Sequence, residues 1–415
     1  MNWGIFDISL CILISWVMIY LSGVKFSFIH ISLMILSLNL IGIYAYGNGD
    51  TGPTLIFALG MLSFAWFVFL SNRFIFRKPV ISTRAELPPG TQKVLSSRMM
   101  LLIILVGVVG YSLFALKGIP LFANHANTYR ETVGSGLGIE DRFLREGLPC
   151  LLGIIGVYYL GVSNPIRRVK YAFYIVLALY TISAILLGNK SAGIAVVETI
   201  AIILTALLTT KKPRRKASIT IGVISVFGIL TGVYITETIL HIHAGAAWAL
   251  IVQRATVLEG MGFYDMVKIV VPTTGLQLGM GQYHSLLDLL ATFRLYPRGL
   301  NTYSLLLEVA YIVQGTGPSS PFPVFPITIT PFGDFYFDFG TIGVVVGAAV
   351  LGVVFAAVYK HTLTTTSLYK KSILVMLQIV LAYYVDSGGL VTVLNLYIIP
   401  VVFLALVWGL AQRAR

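Results

Sequence analysis

Apolar stretches about as long as a bilayer is thick recur along this chain, and they leave few folds open. A helix crossing the hydrocarbon core needs roughly 20 apolar residues. Reading for such stretches gives about eleven: residues 4–23, 26–47, 53–72, 99–116, 147–163, 171–188, 192–210, 218–240, 340–359, 372–388 and 390–410. Charge is correspondingly scarce. Only 11% of the 415 residues are Asp, Glu, Lys or Arg, against about 25% in ordinary soluble domains. That deficit excludes a soluble enzyme, a disordered chain and a nucleic-acid-binding protein. The expected fold is an all-α polytopic membrane protein, a single integral membrane domain over residues 1–415. The first stretch has no cationic leader and no small-residue cleavage site, so it is read as a retained span. Cys11 and Cys150 lie in separate apolar stretches, so neither a disulfide framework nor a zinc site is expected.

Orientation follows from the cations. Twenty of the 29 Lys and Arg fall in one set of connections, around Lys25, Arg73–Arg98, Arg167–Lys170, Lys211–Lys216, Lys360–Lys371 and the C-terminal Arg413 and Arg415, with Glu86 as their one acid. The opposite face and the spans together carry nine bases and fifteen acids. The first set is expected to be cytoplasmic, with the C-terminus inside and the N-terminus outside.

Two outer connections are too long to be turns: residues 117–146 and residues 241–339. Long loops that are neither low-complexity nor highly charged are usually functional. The second holds amphipathic runs, Ala246–Val271 around Arg254 and Tyr283–Phe293, expected as short helices at the membrane surface. Pro318, Pro321, Pro323, Pro326 and Pro331 predict an extended stretch before the next span.

The nine bases outside the cytoplasmic set are Lys117, Arg130, Arg142, Arg145, Lys190, Arg254, Lys268, Arg294 and Arg298. Positive-inside bias works against each of them. A guanidinium is a planar fork that matches phosphate oxygens, so converging Arg side chains at headgroup level suit a diphosphate-bearing lipid. Snorkelling to headgroups and surface ion pairing are the other reading. For Arg142 and Arg145 the i,i+4 pairs Arg142–Glu146 and Asp141–Arg145 favour the structural one. Lys190 lies in a tight polar turn, Gly188-Asn189-Lys190-Ser191, which is either an anion site or a plain turn. Glu198 and Glu237 are acids inside or near the end of spans, and such acids are functional candidates.

The outer side also carries Glu259, Asp265, Asp288, Glu308, Asp334 and Asp338, with His241, His243 and His284 nearby. A glycosyl or acyl transfer needs a base within reach of the attacking hydroxyl, and carboxylate or imidazole would serve. Phe332, Phe335, Tyr336, Phe337 and Phe339 interleave with Gly333, Asp334 and Asp338; such faces suit sugar rings, and aromatics also belt every membrane interface. Gly343-Val-Val-Val-Gly347 reads as a helix-packing pattern.

The run Pro331-Phe-Gly-Asp-Phe-Tyr-Phe-Asp-Phe-Gly-Thr-Ile-Gly343 resembles the signature ahead of a late span in bacterial Wzy-type oligosaccharide repeat-unit polymerases of O-antigen and capsule. There the pattern is roughly Gly-acid-x-Tyr-x-Asn-Phe-Gly-x-x-Gly. Gly333, Asp334, Tyr336, Phe339, Gly340 and Gly343 match; Asp334 replaces the commoner Glu and Asp338 the commoner Asn. Lys117-Gly-Ile-Pro-Leu-Phe122, followed by Arg130, is similar to the family's first outer loop. Gly188-Asn-Lys190-Ser-Ala192 is similar to its Gly-x-Arg-Ser turn, with Lys where Arg is usual.

The resemblance implies a GT-C-like helical fold and activity without a metal or cofactor. It implies polymerisation of polyprenyl-diphosphate-linked repeat units at the outer face of the cytoplasmic membrane, with flippase and chain-length regulator proteins as partners. On this reading Arg254 and Arg298, helped by Arg130, Lys190 and Arg294, hold the diphosphate. Asp334 orients or deprotonates the acceptor hydroxyl, with His284 in reserve, and Tyr336 and Asp338 contact sugar. A ligase moving finished glycan, and a transporter of lipid-linked sugar using Glu198 and Glu237, are the rival readings.

Overall fold

Lipid offers no partner for a backbone amide, and helices bond theirs internally. The computed structural model describes residues 4–76, 86–123, 138–187, 192–207, 226, 230, 232–238, 242–253, 259–292, 294–297, 304–317 and 326–413; among them the regular elements are helical and no strand is present. We number the main helices α1 (Ile5–Leu21), α2 (Phe28–Tyr46), α3 (Thr51–Leu70), α4 (Pro89–Lys117), α5 (Leu148–Gly161), α6 (Arg167–Leu186), α7 (Ala192–Leu207), α8 (Ala244–Gln253), α9 (Glu259–Asp265), α10 (Met280–Thr292), α11 (Leu305–Gln314), α12 (Thr330–Thr364), α13 (Leu368–Ser387) and α14 (Leu390–Arg413).

Among the described residues, eight helical segments are long and apolar enough to cross a membrane: Phe28–Tyr46, Thr51–Ile75, Pro89–Phe122, Gly138–Gly161, Arg167–Leu186, Thr330–Thr364, Leu368–Ser387 and Leu390–Leu410. Eleven were expected. The stretches 4–23 and 192–210 do form helices, but α1 and α7 have 17 and 16 residues, at or below the lower limit for a crossing helix. The stretch 218–240 lies largely outside the described residues.

The chain divides into two compact units. One comprises Met1–Arg77, Val252–Val358 and Val380–Asn395; the other comprises Lys78–Ile251, Tyr359–Ile379 and Leu396–Arg415. In the first unit α1, α2 and α3 pack on one another through short turns. Asp50 starts α3 by accepting the Gly52 N–H at 3.1 Å. Its core is aromatic: Phe28 stacks on Phe355 with centroids 4.9 Å apart, and Phe57 meets both Phe263 and Phe332 edge-on at 5.0 and 4.8 Å. The helix α9 presses so closely on α2 that a Cβ at Gly260 would meet the backbone of Gly42 and Ile43. Phe263 and Met266 are fully buried. This part of the long connection was expected at the membrane surface; its apolar side is instead spent on the core.

The ends of this unit differ in charge. The Asn72 side chain donates to the Ser22 carbonyl at 2.5 Å, joining the turn that holds Lys25 to the end of α3 that holds Arg73. At the opposite ends of α2 and α3, Asp50 meets Lys268.

The stretch 331–339 was expected as the end of the outer connection, ahead of a span at 340. It is helical from Thr330. Pro331 occupies the first turn, where its missing N–H is no loss. The helix breaks at Gly340, whose φ of 63° and ψ of −152° fall in a region open essentially to glycine. The break folds Phe335 back onto the following turn, its ring over Gly347 and its carbonyl against Gly343. Gly340→Ala is therefore expected to cost about 1–3 kcal/mol, read as a lower melting temperature in detergent; an unshifted transition would remove the strain argument.

In the second unit, α4 starts with Pro89 and lies along α6. The Gln92 side chain accepts the Ile166 N–H at 3.0 Å, and Tyr111 donates to the Leu179 carbonyl at 2.7 Å. Tyr158 packs edge-on against Trp408 at 5.1 Å, and Phe143 against Phe403 at 5.2 Å. The Arg145–Asp141 pair expected from i,i+4 spacing is formed at 2.6 Å, while Arg142 donates to the Gly138 carbonyl at 3.0 Å.

Candidate functional site

The helix break at Gly340 leaves carbonyls at the end of residues 330–339 without intrahelical partners. The chain ahead of α10 supplies them: Gln277 N–H donates to Phe337 O and Leu278 N–H to Asp338 O, both at 3.1 Å. Asp338 answers in kind. Its Oδ1 accepts the Gly279 N–H at 2.8 Å, just before α10 begins.

Asp334 does the same for α14. Its Oδ1 accepts the Gly389 N–H at 2.8 Å, and its Oδ2 accepts the Leu390 N–H and the Tyr384 hydroxyl, each at 3.0 Å. Gly388 and Gly389, at φ of 71° and 68°, turn the chain from α13 into α14 so that these N–H groups point at the carboxylate. A carboxylate at a helix N-terminus satisfies orphan donors and suits the helix dipole. The motif's two acids thus cap helices from outside those helices.

Asp334, expected to orient or deprotonate the acceptor hydroxyl, is seen bonded to the start of α14. It is 2% exposed, and three donors occupy most of the roughly four acceptor positions of a carboxylate. Little is left for a substrate hydroxyl. Asp338, expected to contact sugar, is 4% exposed and accepts from Gly279. Tyr336 is half-buried with its ring 6.1 Å from that of Phe263.

His284 lies one turn along α10. Gly281 lets α10 approach closely, facing Phe337 and Leu305, and Ser285 ties α10 to α11 by accepting the Leu305 N–H at 2.9 Å. Ser304 caps α11, accepting from Leu307, and Gly315 ends it in the left-handed conformation. This brings the His284 Nδ1 to 3.6 Å from the Glu308 Oε2, both side chains partly exposed. That is ion-pair distance, longer than a hydrogen bond. Burial pushes the Glu308 carboxyl up, against the opposing pull of His284, and the Asp338 charge adds to the rise. One further turn along α10, Asp288 accepts from the Asn395 amide at 3.0 Å. Imidazole, two carboxyls and an amide therefore share one end of this unit.

A second polar group lies on α9 and its continuation. The Lys268 ammonium is 2.6 Å from Asp50, and the Tyr264 hydroxyl donates to the same carboxylate at 3.3 Å. The Lys268 hydrogen bond holds the Asp50 carboxyl below its usual range. Beside it Asp265 is 2% exposed, and burial pushes it up to about 6. An unfolded aspartate titrates near 4, so the folded chain holds this proton more tightly. The stability it contributes is complete below about pH 4 and is lost as pH rises through about 6, at most about 3 kcal/mol. Asp265→Asn should flatten that part of the profile when melting temperature is compared at pH 4.5 and 7.5. An unchanged slope would contradict the assignment.

Of the expected diphosphate ligands, Arg130, Lys190, Arg254 and Arg298 lie outside the described residues. Arg294 follows α10 with a positive φ of 58° and is exposed. Sequence reading named Glu308 and Asp288 only among outer acids and did not join them to His284 and Asn395. The helical spacing of His284, Asp288 and Thr292 was the available signal. The roles of Tyr384 and the Gly388-Gly389 turn had none. Among the described residues no three His, Cys, Asp or Glu side chains converge with metal-ligand spacing. No family model matches this chain, and neither the curated proteins nor the solved structures contain a match.

Proposed function

We propose that this chain is a membrane glycosyltransferase that polymerises polyprenyl-diphosphate-linked oligosaccharide repeat units at the outer face of the cytoplasmic membrane. On this proposal it crosses the membrane eleven times in a GT-C-like arrangement, N-terminus outside and C-terminus inside. The observation carrying the reading is the His284–Glu308 pair. It stands beside Asp338, on helices anchored by the same Pro331–Gly343 run that resembles the polymerase signature. The placing of Lys25 and Arg73 at one end of the first unit, near the Asn72–Ser22 bond, supports the sidedness.

In the proposed step the acceptor hydroxyl oxygen attacks the anomeric carbon of the donor glycan. The carbon–oxygen bond to diphosphate breaks, and its electron pair leaves with the polyprenyl diphosphate. The hydroxyl proton passes to His284, whose other nitrogen faces Glu308. Burial raises the Glu308 carboxyl above its ordinary range, the kind of perturbation found at sites of proton transfer. The base role expected of Asp334 thus moves to His284, and Asp334 keeps the scaffold. Arg254, Arg298, Arg130, Lys190 and Arg294 are the proposed diphosphate contacts. Flippase and chain-length regulator proteins are the proposed partners.

The test is what accumulates when the gene is deleted from its host. The proposal predicts surface glycan of one repeat in place of long chains. Long chains that persist on lipid carrier but fail to reach their final acceptor would indicate a ligase. Repeat units trapped on the inner leaflet would indicate a transporter.

A further inference from the structure

We infer that the second unit carries a binding groove for an anionic glycerophospholipid between α4 and α6, and this inference does not rest on the proposed activity. The groove has a volume of about 790 Å³ and opens on the helix surface near the starts of both helices. Its inner wall is apolar, formed by Met100, Ile175 and Ala178. Around it the helix faces are apolar and exposed, with Leu101, Ile104 and Val108 on α4 and Ile182 on α6, as a surface against acyl chains must be.

Its mouth is polar and cationic. Arg168 lines it together with Tyr171 and Tyr174, both exposed aromatic rings with hydroxyl tips. The Gln92–Ile166 hydrogen bond holds the two helix starts together, so Lys93 and Arg98 of α4 share this end with Arg167, Arg168 and Lys170 of α6. Among the described residues no carboxylate pairs with Arg168. A guanidinium with no carboxylate partner among the described residues, at the rim of an apolar slot, complements a phosphodiester whose acyl chain enters the slot. Ser97 adds selectivity. Its hydroxyl proton is already given to the Lys93 carbonyl at 3.1 Å, so the oxygen is left to accept. A headgroup that carries hydroxyl donors beside its phosphate, as phosphatidylglycerol does, meets both demands.

The purified full chain is placed in nanodiscs of phosphatidylcholine with increasing phosphatidylglycerol. Bound lipid is counted by native mass spectrometry and melting temperature is followed in parallel. Saturable retention of phosphatidylglycerol, with a rise in melting temperature, is expected. Arg168→Ala should weaken it about fivefold, the equivalent of about 1 kcal/mol for one cation near a headgroup. Ala178→Trp should block the slot while leaving the charge in place. Arg167→Ala, one residue away and not lining the groove, should change retention much less. Equal retention of phosphatidylcholine, or equal losses in Arg167→Ala and Arg168→Ala, would overturn the inference and leave only diffuse surface charge.

Discussion

Asp334→Ala is expected to be among the most destabilising single changes in this chain, costing about 3–5 kcal/mol. The carboxylate accepts from Gly389, Leu390 and Tyr384 at 2.8 to 3.0 Å and is 2% exposed. Alanine would leave two helix N-terminal N–H groups and a buried hydroxyl without their partner. Each unmet buried donor costs about 1–3 kcal/mol, and whole domains are stable by only about 5–15 kcal/mol. Tyr384→Phe, which removes one of the three donors and leaves the carboxylate in place, should cost about 1 kcal/mol. Thermal unfolding in detergent separates them. If Asp334→Ala melts with the parent, the carboxylate is not the joint that holds α14.

The second large effect concerns chemistry instead of stability. His284→Ala and Glu308→Gln should each lower polymer formation by about 100-fold or more, the range of a lost acid–base group. Both side chains are partly exposed, and neither caps a helix. Their melting temperatures should therefore stay near that of the parent. Asp334→Ala should show the opposite pattern, with activity lost in proportion to folded protein. Long glycan of undiminished yield from His284→Ala would remove the imidazole from the reaction.

The helices were largely legible in the sequence because lipid leaves the backbone one economical solution, and a run of apolar residues reports it directly. The ends were less so. Residues 331–339 were placed in the outer connection, with Pro331 and Gly333 among them, yet Pro fits the first turn of a helix and Gly340 permits the break that follows. The run Ala246–Val271 had the pattern of a surface helix, but in its later part Gly260 fits α9 to α2 and Phe263 packs on Phe57 of α3, and pattern does not say which apolar surface a face will meet.

At the candidate site, the motif drew attention to two acids, and the structure shows both of them bonded to helix starts. Asp334 and Asp338 stand in a motif, which made them natural candidates for chemistry. Their bonds instead go to backbone N–H groups 55 and 59 residues away, across turns no local rule connects to them. His284 and Glu308 come from separate short helices, and their meeting depends on the approach allowed at Gly281 and on the Ser285 bond. Such contacts are tertiary facts, and spacing along the chain does not encode them.

The most direct measurement supplies the purified protein, reconstituted in liposomes, with a lipid-linked repeat unit and follows product length over time. The account predicts a ladder of glycans growing by whole repeats on the lipid carrier, absent with His284→Ala. Repeat units that stay single, whether unmoved or carried across the bilayer, would contradict it.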